Sequence, residues 1–515
     1  MANGCEPQGF STFLPRGGNN VEHVRLLARD RPGAGTFRSV FLKLALAVAL
    51  LLPLAVPAGA SAAVPSSPRT DLVPGQGALT VGDPHLPTLG NGGYRVLHYD
   101  LRLRYVPATR VMQGRAIIAA TTTQALSAFS LDFDGMTVES VLVDGVPVTF
   151  RRERTKLIVT PSAPLAAGQG FSVTVAYAGV PGLGEDGFGA TGWVANAHGA
   201  VAYCEPDGAQ RWFPNDSATT DKARYDISIT VPTGFTAISN GRLLGRTTDR
   251  AQGTTTWRWR ERSPMVAYAA TVAIGRFTLT RTRTSDGIDL WTAVQQQLPR
   301  AVKDAARRDF AELPAVLRFF RTRFGPYPFE TSGGIVGDFG FVAPLETQSR
   351  PIYDGPHLLQ AHEIAHQWFG NSLTLTRWSD LWLHEGFATF AEWLWDERTD
   401  RAMDEKFAST LRLTDWTHSP PTAAPGKNLF NAVTYQRGAA TLQGLRMLMG
   451  DARFFALLRE WAKTHRDGNV TTEEFVALAR VRGGAEAERV LRQWLYGRSK
   501  PALPAKIVKR LDALR

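Results

Sequence analysis

Cysteine is scarce in this sequence, whose 515 residues contain only Cys5 and Cys204. Cys5 lies in an N-terminal segment that we expect to be removed, so a disulfide framework is excluded from the mature chain. A chain of this length can bury enough apolar surface to be stable without disulfide bonds.

Long basic runs and membrane-length apolar runs are also missing. The formal net charge of +11 is spread along the chain, and diffuse positive charge favours solubility over nucleic-acid binding. The apolar run Leu44–Leu54 is broken by Pro53 and falls short of the ~20 residues that a spanning helix needs. We therefore expect no nucleic-acid partner and no stable membrane span after processing.

The first 62 residues are typical of a leader with a secretory signal peptide. A basic region ends at Lys43, the apolar run follows, and small residues then offer cleavage after Ala60 or Ala62. Cleavage would place the mature protein outside the cytoplasm, secreted or in the cell envelope. Retention of the segment as a membrane anchor is the alternative.

Residues 63–90 are rich in Pro, Ser and Gly and predict a flexible linker. Residues 91–277 then show alternating apolar and polar positions separated by turns such as Asp144-Gly145, which predicts an antiparallel β domain. The expected strands are Val96–Tyr105, Ala116–Thr121, Phe129–Phe133, Val138–Val143, Leu157–Thr160 and Phe171–Tyr177.

Residues 278–515 change to helical spacing and predict a mostly helical α+β domain. Val302–Arg323 repeats apolar residues at helical intervals and is followed by Gly325-Pro326. Short strands are expected at Gly334–Val336 and Gly340–Val342, and helices from Leu358 onwards.

A metal site is predicted in the helix expected at Leu358–Phe369. His362 and His366 are four residues apart, so both imidazoles project from one helix face, as a shared tetrahedral zinc requires. Glu363 lies ~100° around the axis from His362, where it can take a proton from a metal-activated water without being a ligand.

A second helical run, Trp382–Asp396, provides the third ligand, Glu385, eighteen residues after His366. Glu392 lies two turns further along the same face and is expected to hydrogen-bond a ligand imidazole. His384 neighbours Glu385, but helical rotation of ~100° points it away from the metal. One zinc ion per chain is therefore expected.

These residues resemble the aminopeptidase N family of gluzincin zinc metallopeptidases. The zinc motif and its spacing carry the resemblance, together with further segments along nearly the whole mature chain: Trp212-Phe213-Pro214-Asn215-Asp216, Asp221-Lys222-Ala223, Ser239-Asn240-Gly241, Phe324-Gly325-Pro326-Tyr327-Pro328-Phe329 and Asp380–Ala388. The resemblance implies an N-terminal β domain followed by a thermolysin-like catalytic domain, and removal of N-terminal residues from peptides.

By the same resemblance, Glu346 occupies the place of the glutamate in the family's G-A-M-E-N motif, which binds the substrate's free α-amino group. Pro344 and Thr347 depart from that motif. Glu205 falls where the family has a second amine-binding residue, and Tyr435 matches the tyrosine that donates a hydrogen bond to the oxyanion. A carboxylate that pairs with an ammonium group would select free N-termini.

The sequence ends soon after Leu495, where the family's catalytic domain closes. The resemblance therefore implies a short, bacterial-type form without the C-terminal domains, with an open cleft that tolerates peptides of different length. We expect the protein to be a monomer with peptides as its partners. A thermolysin-like endopeptidase and an inactive zinc-binding scaffold are the alternatives.

Overall fold

The computed structural model describes residues 75–186, 189–340, 343–355, 360–398, 403–417 and 429–512. The predicted leader 1–62 and the first part of the predicted linker, residues 63–74, lie outside these residues. The described residues belong to one compact unit. Within them, every helix is too short or too polar to cross a lipid bilayer.

The first half of the described chain consists of strands. In chain order they are β1 (Gly75–Gln76), β2 (Tyr94–Val106), β3 (Val111–Thr122), β4 (Leu126–Asp132), β5 (Thr137–Val143), β6 (Val146–Pro147), β7 (Thr149–Glu153), β8 (Lys156–Thr160), β9 (Gly170–Gly179), β10 (Leu183–Asp186), β11 (Gly189–Asn196), β12 (Gly199–Tyr203), β13 (Lys222–Pro232), β14 (Thr236–Ser239), β15 (Arg242–Asp249), β16 (Thr254–Val266) and β17 (Val272–Gly275). Each strand expected from the alternation pattern is present.

Three sheets build this half, with orders β15-β16-β13-β2-β3-β9-β5-β6, β10-β11-β12-β17-β14 and β1-β4-β8-β7. Most neighbours are antiparallel, as predicted, but β2 pairs in parallel with β13 and β1 with β4. Parallel pairing requires a long connection, and the chain between β2 and β13 provides one. A shared hydrophobic core that includes Trp212, Phe213 and Tyr225 lies between the sheets.

The second half is mixed and mostly helical. Its strands are β18 (Phe277–Arg283), β19 (Asp289–Gln295), β20 (Thr331–Gly337), β21 (Ile352–Asp354), β22 (Thr374–Leu375) and β23 (Asn469–Val470). Its helices are α1 (Arg300–Phe324), α2 (Gln360–Ala365), α3 (Trp382–Asp396), α4 (Met403–Leu413), α5 (Gly438–Met449), α6 (Asp451–Thr464), α7 (Thr472–Tyr496) and α8 (Ala505–Asp512). The strands β18 to β21 form one sheet, and the helices enclose a second core that includes Phe320, Trp382 and Trp494.

Local sequence signals explain where these helices begin and end. Helix α1 buries its apolar stripe and stops at Gly325, which adopts a φ of 99° that favours glycine. Helix α7 begins with a capping box, in which Thr471 accepts from the Glu474 amide and Glu474 accepts from the Thr471 amide. Its backbone is broken at Gly484.

Two expectations about the second half need correction. The helix expected at Leu358–Phe369 is regular only over α2, because its last turn tightens into i to i+3 hydrogen bonds and Gly370 then turns the chain with a φ of 140°. The strand expected at Gly340–Val342 is not seen at Gly340, which lies in a bend, and its other two residues lie outside the described residues.

Side chains of the first half bond directly to the segment that follows α2. The Lys222 ammonium group of β13 donates to the carbonyl oxygens of Asn371 and Ser372, at 2.9 Å each. The Thr219 hydroxyl donates to the Thr376 carbonyl at 2.9 Å. These bonds fix the first half against the segment that follows His366.

Candidate active site

Helix α2, the turn that follows it and helix α3 bring the three predicted metal ligands together. Glu385 Oε2 lies 3.4 Å from His362 Nε2 and 3.5 Å from His366 Nε2, and the imidazole centroids are 4.8 Å apart. Ligand atoms about 2.0–2.1 Å from a tetrahedral zinc lie about 3.3–3.4 Å from one another. The spacing of the three donor atoms therefore fits zinc.

The outer nitrogens of both imidazoles face acceptors, which leaves the Nε2 atoms for the metal. His366 Nδ1 lies 3.1 Å from the Phe369 carbonyl oxygen, to which it can donate a proton. His362 Nδ1 lies 3.6 Å from Glu392 Oε2, the carboxylate expected to hydrogen-bond an imidazole, which is just beyond hydrogen-bond distance. Such outer partners orient a ligand histidine and fix its tautomer.

Burial and mutual charge shift the pKa values of these groups strongly. Burial raises the pKa of Glu363 to about 8. Burial lowers the pKa of His366, but the charges of Glu346 and Glu385 outweigh it and raise that pKa to about 9. Burial alone would raise the pKa of Glu385, yet the two imidazoles hold it below its ordinary value. The imidazoles and Glu385 thus form a site where a cation is favoured.

A cavity of about 400 Å³ opens onto these ligands. Its described lining carries five carboxylates and no Lys or Arg, and its lining residues include Tyr203, Glu205, Leu345, Glu346, His362, Glu363, His366, Glu385, Glu392, Asn431 and Tyr435. Every site residue expected from the sequence therefore lies on one cavity. The excess of buried negative charge suits both a divalent metal and a substrate ammonium group.

Three carboxylates approach the ligands from different elements. Glu363 follows His362 on α2, and its carboxylate, that of Glu346 and a nitrogen of His366 all lie within 4.8 Å of one another. Glu346 lies on the loop before β21 and is 7% exposed, and Glu205 follows β12 and is 3% exposed. The structure thus places both the general-base candidate and Glu346 beside the ligand His366.

Tyr435 lies on a single π-helical turn, Val433–Arg437, that leads into α5. Its ring is nearly parallel to that of His362, with centroids 6.1 Å apart. Burial and the surrounding carboxylates, Glu385 foremost, raise the pKa of the phenol well above 10. The hydroxyl therefore keeps its proton and can donate it in a hydrogen bond.

His384 does not join the ligands, as the helical rotation predicted. Its Nε2 accepts a hydrogen bond from the Leu375 amide at 3.0 Å, and the ring is buried. Burial lowers the pKa of His384 to about 3, so the imidazole is neutral. Its place is structural, between α3 and β22.

Sequence analysis missed a glycine contact that sets the distance between the metal ligands and Tyr435. A Cβ atom at Gly386 would lie 2.7 Å from Gly438 Cα, and one at Gly438 would lie 2.7 Å from Gly386 Cα. Helices α3 and α5 therefore touch backbone to backbone beside Glu385. The available signal was a glycine directly after a ligand inside a helix, where glycine costs about 1 kcal/mol relative to alanine.

Two family models match the chain. Residues 96–269 match the Peptidase M1 N-terminal domain, and residues 356–494 match the Peptidase family M1 domain. Among solved structures, a variant of the M1 zinc metallopeptidase from Deinococcus radiodurans bound to a Tyr-Ser-Ala substrate is 30% identical, with a TM-score of 0.76. That match covers 83% of this chain and 100% of the Deinococcus chain.

Curated relatives include plant aminopeptidases that are longer than this chain. Aminopeptidase M1 from Arabidopsis thaliana is 28% identical over 60% of this chain and 38% of its own length. Aminopeptidase M1-B from Oryza sativa subsp. japonica is 26% identical over 80% of this chain and 50% of its own length. The chain thus spans half the length of these relatives or less.

Proposed function

The chain belongs to peptidase family M1, and on that premise we propose that it is a zinc aminopeptidase that hydrolyses N-terminal residues from peptides. The family supplies the metal and the reaction class. The residues around the metal ligands decide which end of a peptide the cavity accepts.

His362, His366 and Glu385 would hold the zinc ion. Zinc supplies Lewis acidity there, polarising a scissile carbonyl and lowering the pKa of a water molecule towards ~7. The charge of a bound zinc ion would oppose the burial that raises the pKa of Glu363, so the ionised carboxylate takes a proton from the attacking water and passes it to the leaving amine. The Tyr435 hydroxyl donates a hydrogen bond to the developing oxyanion, a contact strongest in the transition state.

The observation that carries the exopeptidase proposal is a buried carboxylate oxygen without a hydrogen-bond donor. Among the described residues, no protein group donates a hydrogen bond to Glu346 Oε1, although this atom is shielded from solvent. His366 Nδ1 lies 3.7 Å from it and faces the Phe369 carbonyl oxygen instead. A buried carboxylate of this kind is costly unless a cation pairs with it. The α-ammonium group of a peptide is such a cation, and Glu205 on the same cavity adds a second negative charge.

An N-acetylated peptide separates this function from its alternatives. Acetylation removes the ammonium charge, so we expect a leucyl arylamide or a free tripeptide to be hydrolysed and its acetylated form to resist. Equal hydrolysis of both forms would indicate a thermolysin-like endopeptidase instead. Zinc binding without hydrolysis of any aminoacyl arylamide would indicate a scaffold.

We also propose that the protein acts outside the cytoplasm, as a monomer, after cleavage of the leader 1–62. The basic region, apolar run and small residues of the leader support this location. N-terminal sequencing of the exported protein should find a start at Ser61 or Ala63. Recovery of the intact leader in the membrane fraction would favour an anchored form.

A further inference from the structure

The loop that carries Glu346 is held firmly on the side that faces the β sheets. Residues 346–351 form a loop closed by a pair of backbone hydrogen bonds between Leu345 and Ile352. The Asn240 side-chain amide donates to the Gln348 carbonyl oxygen at 2.7 Å, and the Gly241 backbone amide donates to the Ser349 hydroxyl at 2.7 Å.

The opposite side of the loop is held by two amide side chains that follow His366. The Gln367 Nε2 donates to the Glu346 carbonyl oxygen at 3.3 Å, and its Oε1 accepts from the Ser349 amide at 2.7 Å. The Asn371 Nδ2 donates to the same Glu346 carbonyl at 2.6 Å. Both amide side chains belong to residues that are almost fully buried.

These bonds connect the loop to a metal ligand. Gln367 is the residue after His366, and the Asn371 backbone amide donates to the His366 carbonyl at 3.0 Å. The Glu346 carbonyl oxygen has two lone pairs, and each amide side chain supplies one donor. The peptide plane from which the Glu346 side chain projects is therefore fixed to the turn that holds His366.

We propose that Gln367 and Asn371 are positioning residues that set the Glu346 carboxylate at its distance from the metal, and so determine how strongly a free α-amino group is recognised. The inference rests on the proposed aminopeptidase function. Both residues bond to the Glu346 backbone, and Gln367 Nε2 also donates to the Glu363 carbonyl oxygen at 3.3 Å. Neither residue is among those proposed to bind the metal or the substrate.

The test compares two zinc-chelating inhibitors that differ only in the amino group. Leucine hydroxamate carries it and 4-methylpentanohydroxamic acid lacks it. The inhibition constant of the compound without the amine, divided by that of leucine hydroxamate, therefore reports recognition of the amine alone. In Gln367→Leu we expect this ratio to fall about tenfold, the scale of one or two neutral hydrogen bonds. The constant for the inhibitor without the amine should change little.

A double-mutant cycle separates positioning from general damage. In a Glu346→Gln background, Gln367→Leu should leave the ratio unchanged, because the carboxylate that it positions is already absent. A further fall in that background would overturn the proposal, as would an unchanged ratio in the single variant. A wild-type ratio near one would instead refute the amine-binding function itself.

Two further variants guard against a folding defect. Gln443 is equally buried, on α5, and its amide donates to Asp404 at 3.2 Å, so Gln443→Leu removes a similar bond elsewhere and should keep the wild-type ratio. Asn371→Ala removes the other donor to Glu346 and leaves Gln367 in place. It should lower the ratio even if Gln367→Leu does not fold, and an unchanged ratio there would contradict the proposal.

Discussion

Glu363 is the residue on which the proposed hydrolysis depends most directly. It is 3% exposed, and its carboxylate lies beside the metal ligands but is not one of the three donor atoms that fit zinc. We predict that Glu363→Gln lowers kcat by about 10³-fold, because the amide keeps the shape and cannot accept a proton. Zinc content, measured by elemental analysis, should stay at one ion per chain.

Glu392→Gln is the matched control for that substitution. Glu392 is partly exposed and lies 3.6 Å from His362 Nδ1, so its loss should weaken zinc binding by about 10-fold or more. Turnover by the zinc-loaded variant should remain measurable. Loss of zinc from Glu363→Gln would contradict the role assigned to Glu363.

The contact between α3 and α5 makes a prediction at the level of whole elements. A methyl group at Gly438 would meet the Gly386 backbone at 2.7 Å, so Gly438→Ala must push the two helices apart. Because Tyr435 precedes α5, its hydroxyl would move away from the reacting carbonyl. A displacement of about 1 Å can cost about 10²-fold in rate, and we expect kcat to fall on that scale while zinc stays bound.

The control for this substitution is Gly170→Ala at the start of β9, where an added Cβ would meet no heavy atom within 4 Å. It should leave kcat unchanged. If the effect passes through Tyr435, Gly438→Ala should add little to Tyr435→Phe. Two fully additive losses would show that the helix contact acts elsewhere.

The elements of the fold could be predicted where one local pattern determines them. Alternation located six strands of the first half, and helical spacing located α1 and α3 within two residues of their ends. The length of α2 could not be predicted, because its last turn is tightened by contacts with residues distant in sequence. One example is Asn371, which bonds to Glu346 across the loop.

The candidate site divides in the same way. His362, Glu363 and His366 lie within five consecutive residues, and their spacing alone predicts a shared metal. Glu346 and Glu205 come from separate loops, so only the family resemblance could place them on the same cavity. The roles of Gln367 and the Gly386–Gly438 contact depend on partners that no local pattern reveals.

For the whole molecule, a buried pair of carboxylates in the first half makes stability depend on pH. Burial and the neighbouring Asp221 raise the pKa of Asp216 well above 3.8, and burial raises the pKa of Asp221 to about 6. A folded state with raised carboxyl pKa values binds more protons than the unfolded chain. The stability that these protons contribute is therefore present below pH ~4, and its loss begins as the pH rises through the pKa of Asp221, about 6.

We predict that Asp216→Asn removes most of this loss. The Oδ1 of Asp216 accepts from the Asn91 and Ala218 amides, which an asparagine oxygen can replace, while its NH₂ group can donate to Asp221 in place of the shared proton. Urea unfolding should show that the free energy of unfolding of the variant, relative to that of the wild type, is about 1–3 kcal/mol higher at pH 8 than at pH 4.

Asp304→Asn on α1 is the control, because Asp304 is 40% exposed and lies in surface ion pairs with arginines. Its stability relative to the wild type should depend little on pH. If the free energy of unfolding of Asp216→Asn changed with pH as much as that of the wild type, the pair would not share a buried proton.

The bonds from Lys222 restrict which amino acids the first half can carry at this contact more than they restrict the second half. Its ammonium group is the donor, and both acceptors are main-chain carbonyl oxygens, at residues 371 and 372. Since every amino acid carries a carbonyl, position 372 can vary without weakening the junction, whereas position 222 needs a long donor. In chimaeras of related enzymes, these two bonds should therefore form with a foreign zinc-binding half, provided that the first half keeps its lysine.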